Sequence, residues 1–112
     1  MGKVLQIRVL AHTWNEELAE KMWPRLYELA FSVPTKFKKH GVAELIQGLD
    51  EGLTYLDWSK DRQNKMGDGI KKAVQLYREL ERALAEWQVS NANRLTDEIE
   101  QVLEQLEDNF VS

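Results

Sequence analysis

Residues 69–110 contain two successive runs in which apolar side chains recur at steps of three and four residues, and few folds accommodate such a pair. In the first run Ile70, Ala73, Tyr77, Leu80, Leu84 and Trp87 fall on one face of a helix, with Lys71, Lys72, Arg78, Glu79, Glu81, Arg82 and Glu86 mostly on the others. The second run repeats the pattern with Leu95, Ile99, Val102, Leu103, Leu106 and Phe110, and places Asp97 and Glu98 where a helix beginning near residue 93 has its positive dipole end. Residues 88–93 are too few to do more than turn the chain, and Ser90, Asn91 and Asn93 offer N-cap side chains. At about 1.5 Å per residue each helix spans roughly 28 Å, so the two can pair along their whole length, with Leu80 and Leu84 facing Ile99 and Val102.

Around this hairpin, 112 residues suffice for one domain, residues 1–112, with a continuous core. The apolar fraction of 43% and its even spread along the chain exclude a disordered composition. The absence of cysteine removes disulfides, thiolate nucleophiles and cysteine metal sites. The opening, Val4, Leu5, Ile7, Val9 and Leu10, is interrupted by Gln6 and Arg8 and lacks a signal-peptide cleavage pattern. No run approaches the about 20 apolar residues that span a bilayer. A cytoplasmic protein with no membrane association is expected.

The opening has two readings. As an extended segment it places Leu5, Ile7, Val9 and Ala11 on one face. As a helix it gathers Ile7, Leu10, Ala11 and Trp14. Thr13 and Glu16 form a capping-box pattern that starts a helix afresh near Trp14, which favours the extended reading. A strand then needs a partner, and the only other alternating stretch, Phe31, Val33, Thr35 and Phe37, contains Pro34, which cannot donate to a ladder. Pairing with a second copy of the chain, or a helix after all, ranks above that internal pair.

Residues 14–30 read as a helix with Leu18, Met22, Leu26 and Leu29 inward, and Pro24 predicts a kink at residues 20–23 or a second short helix starting at the proline. Residues 32–41 read as a loop. Residues 42–58 form the next helix, with Val42, Leu45, Ile46, Leu49, Leu53 and Leu56 inward. Gly48 and Gly52 within it each cost roughly 1 kcal/mol relative to alanine, which points to close packing against another helix. Residues 59–68 are polar and read as a connection, with Gly67, Asp68 and Gly69 stopping it and capping the helix that follows. The fold class is mainly α: an antiparallel bundle of about four helices with an N-terminal extended segment or short strand.

No catalytic, cofactor-binding or metal-binding residues emerge. His12 and His40 are far apart in sequence, with no ligands at metal spacing, and Asp57, Asp61 and Asp68 lack the alternation of a calcium loop. No serine lies in a nucleophile motif and the glycines form no phosphate cradle. Lys36, Lys38 and Lys39 form one basic cluster, and Lys60, Arg62, Lys65, Lys71 and Lys72 a looser second one. Beyond Arg94 every charge is acidic, and the net charge of −4 argues against a protein built mainly to hold nucleic acid.

Trp14, Trp23, Trp58 and Trp87 all fall near helix ends, where a large ring plugs a core or anchors an interface. The expected function is therefore that of a small non-enzymatic helical protein acting by protein–protein interaction. It is expected to self-associate as a homodimer without a cofactor, with Leu5, Ile7, Val9, Trp14 and Trp23 as interface candidates. A regulator contacting nucleic acid through its basic loops, and a helical-bundle enzyme or small-molecule binder, are the alternatives.

Overall fold

In the computed structural model residues 16–31 and 40–110 are described, and these contain five helices and no strand. They are α1 (Glu16–Met22), α2 (Pro24–Ala30), α3 (Val42–Tyr55), α4 (Lys60–Ala85) and α5 (Val89–Asp108). The opening, and with it the choice between strand and helix for residues 3–11, lies outside the described residues, as do Lys36, Lys38 and Lys39.

The α4–α5 pair is the hairpin that the two apolar runs require. Gly69 lies against Leu106 and the Arg62 guanidinium reaches the Phe110 ring, so the two helices run in opposite directions from their turn. Carried toward the turn, that register sets Leu80 level with Leu95 and Ala83 level with Ala92, and all four are buried. Leu95, Ile99, Val102, Leu103 and Leu106 are buried as the periodicity predicts, together with Ile70, Ala73 and Leu80. Leu76 and Ala83 join them, while Tyr77 and Leu84 are only partly buried and Trp87 is exposed.

Three details of the hairpin differ from the sequence reading, each for a local reason. First, residues 59–68 are no loop: α4 begins at Lys60, with the Ser59 hydroxyl accepting from the Arg62 N–H at 3.2 Å, and runs unbroken through Gly67, Asp68 and Gly69. Met66 is fully buried, and a Cβ on Gly69 would stand 2.6 Å from Leu106 Cδ2, so Gly69 admits the neighbouring helix. Burial of this face outweighs the roughly 1 kcal/mol that each glycine costs. Second, the turn is shorter than residues 88–93. α5 starts at Val89, no side chain caps its N-terminus, and Ser90, Asn91 and Asn93 lie within the helix. Third, Asp97 and Glu98 therefore sit beyond the first turn, which holds no acidic residue.

The remaining helices build onto this hairpin. α3 packs on α4 and ends at Tyr55, earlier than expected, because the chain folds back to bury Trp58. A Cβ on Gly52 would lie 2.5 Å from Trp58 Cζ2, and one on Gly48 3.1 Å from the Ala30 Cβ of α2. The close packing expected of the two glycines is thus against α2 at Gly48 and against the Trp58 ring at Gly52.

Pro24 takes the first position of α2 and separates it from α1, the second of the two outcomes its place predicts. Seven residues are too few for a helix to stand alone. The Glu107 carboxylate of α5 therefore matters: it accepts from the Arg25 N–H at 3.2 Å and the Leu26 N–H at 3.0 Å, capping α2 from another helix. The Arg25 Nε lies 3.9 Å from the same carboxylate.

Because Leu80 is 3% exposed and Leu84 only partly buried, Leu80→Ala should cost about 2 to 5 kcal/mol in chemical denaturation, and Leu84→Ala distinctly less. Equal costs would mean that the hairpin is rotated from this register.

Candidate functional site

Of the interface candidates, Trp23 is described: it is 2% exposed, at the junction of α1 and α2, and its indole N–H finds no hydrogen-bond partner among the described residues. Leu5, Ile7, Val9 and Trp14 lie outside the described residues. Trp58 is likewise buried, and among the described tryptophans Trp87 is the one that faces solvent, 58% exposed, with Val89 beside it at 65%.

Trp87 stands out in its backbone as well. Its φ is 62°, in the left-handed region, and it is the one non-glycine residue with positive φ among those described. The reason is the way α4 ends. The Gln88 N–H donates to the Ala83 carbonyl at 2.8 Å and the Trp87 N–H to the Leu84 carbonyl at 3.2 Å, the paired bonds of a Schellman turn. Such a turn needs left-handed backbone at the position after the C-cap, where glycine is the usual occupant because a Cβ there costs about 1 kcal/mol or more. Here a large aromatic residue occupies that position and holds its ring outward at the end of the hairpin. No sequence periodicity shows this, since Trp87 completes the apolar stripe of α4 as though it were a core residue.

The titratable groups gather elsewhere, where α1, α2 and α3 meet. The Tyr27 hydroxyl donates to the His40 carbonyl at 2.8 Å, and the His40 N–H donates to Glu16 Oε1 at 3.1 Å. The His40 ring stacks on Phe31 with centroids 4.1 Å apart. Burial, followed by the carboxylates of Glu16, Glu20 and Glu44, pushes the Tyr27 phenol up to about 12. A phenol so disposed is a poorer acid than free tyrosine and is already engaged as a donor. This cluster ties the segment around residue 40 to α1 and α2. No group of three or more side chains among the described residues is arranged to hold a metal ion.

The second basic cluster lies along α4, and its members do not merge into a single patch. Asp61 and Asp68 stand among Lys60, Lys65, Lys71 and Lys72, and the Arg62 guanidinium lies 5.6 Å from the Trp58 ring centroid and 5.7 Å from that of Phe110. Near it an open groove of about 460 Å³ is lined by Lys65, Asp108, Asn109 and Phe110. No helix among the described residues is long and apolar enough to cross a membrane. Comparison with protein-family models, curated proteins and solved structures gives no match.

Two outcomes follow from this geometry. Replacing Trp87 by glycine relieves the left-handed strain and removes few contacts, so Trp87→Gly should stabilise the protein by about 1 kcal/mol in chemical denaturation. A loss of stability would show that the ring packs. For Tyr27, the folded-state value lies above the unfolded value of 10, so the fold favours the protonated phenol. That contribution is complete below pH 10 and is lost as the pH rises through about 12. Tyr27→Phe should therefore flatten the alkaline fall in stability, with a remainder from Tyr77, which burial and then Glu81 and Glu44 also raise. An unchanged pH profile would contradict this.

Proposed function

We propose that the protein is a small, non-enzymatic, cytoplasmic helical protein, a single domain over residues 1–112, that acts by binding protein, including a second copy of itself. The observation that carries the reading is Trp87. An exposed tryptophan, held outward by a strained turn where glycine would be more stable, has the character of an interface anchor, and Val89 widens the apolar surface beside it.

Self-association rests on the opening. Leu5, Ile7 and Val9 alternate in sequence, and as an extended segment they would bury one face by pairing with the same residues of another copy about a twofold axis, with Trp14 and Trp23 nearby in sequence. An antiparallel bundle preceded by such a strand is the arrangement this reading entails.

Light scattering over a range of concentrations tests it. The wild-type protein should sediment and scatter as a dimer, and Ile7→Lys should give monomers while the α4–α5 hairpin melts as before. A wild-type protein that is monomeric at high concentration would overturn self-association.

A further inference from the structure

α1 differs from the other helices in what it buries. Of its seven residues Ala19 alone is buried, whereas Leu18 and Met22, one turn apart on the same face, are 44% and 46% exposed. The charges beside that face are ordered along the helix. Glu17 lies in the first turn and Lys21 in the last, both are exposed, and no ion pair among the described residues engages either. Reversing the direction of such a helix exchanges the two signs. Two copies of α1 laid antiparallel, Leu18 of one against Met22 of the other, would set Glu17 of each opposite Lys21 of its partner. The face is therefore complementary to itself, the property an isologous twofold contact requires.

We propose that this face of α1 is the surface through which two copies of the chain associate, in antiparallel orientation, with reciprocal Glu17–Lys21 pairs flanking a Leu18–Met22 seam. The inference rests on the self-association proposed above and assigns it a surface. Two helical turns are small beside the roughly 800 Å² per partner of a standard interface, so the contact must draw on neighbouring chain. Residues 1–15 precede α1 in sequence and carry Leu5, Ile7 and Val9, on which the proposed self-association rests.

Light scattering or sedimentation of the full chain decides the matter. Met22→Lys, at an exposed position, should leave the far-ultraviolet spectrum and thermal melt intact and weaken dimerisation by about tenfold or more. Glu17→Lys alone, which opposes like charges twice, should weaken it several-fold, roughly as exposed pairs allow, and adding Lys21→Glu should restore it. Restoration by the double reversal is the signature of antiparallel self-pairing. A wild-type dimer that neither Met22→Lys nor Glu17→Lys weakens would overturn this surface while leaving self-association to Leu5, Ile7 and Val9. A monomeric wild type would overturn both.

Discussion

The apolar seam between α4 and α5 is the contact on which every other part of the described structure rests. Each helix carries its stripe along nearly its full length, and neither can bury that stripe alone. Once the two are paired, α4 has a second face on which α3 packs, and α5 offers the Glu107 carboxylate that caps α2. The seam also explains why α4 is continuous. Between Met66 and Ile70, both buried, an interruption at Gly67 or Gly69 would expose apolar side chains, at a cost greater than that of two glycines in a helix.

The N-terminal side of the protein is held by different means. α2 is a single short helix whose N-terminal N–H groups are satisfied by Glu107 and whose C-terminal alanine, Ala30, nests on Gly48 of α3. It is thus fixed at both ends by residues distant in sequence, while Leu26 and Tyr27 between them enter the core. α1 follows the direction that Pro24 imposes and adds only Ala19 to that core. This division of labour, a hairpin with a small pair of helices clipped onto it, leaves Leu18 and Met22 of α1 exposed. The proposed self-association gives them a place.

Two of the surfaces proposed for binding, the α4–α5 turn and the face of α1, have little in common beyond exposed apolar side chains. At the turn the backbone itself is strained to present Trp87; on α1 the side chains Leu18 and Met22 are presented by an ordinary helix. Neither is distinguishable in sequence from a core position. Leu18 and Met22 fall at helical spacing with Leu26 and Leu29, and Trp87 with Leu80 and Leu84, because periodicity reports which residues share a face and says nothing of what that face meets.

The sequence by itself determined the helical character of the chain, the hairpin of residues 69–110, the break at Pro24 and the need for something close against Gly48 and Gly52. Each of these follows from local physics: the 3.6-residue period of apolar side chains, the missing N–H of proline, the missing Cβ of glycine. Tertiary structure alone decided where α4 begins, that the α4–α5 turn closes through Trp87, that Trp23 and Trp58 are buried while Trp87 is not, and that α2 takes its cap from Glu107. The physical reason is the same in each case. A glycine pair, a polar stretch or a tryptophan near a helix end has two local solutions of similar energy, and the choice between them is made by burial against residues far away in the chain.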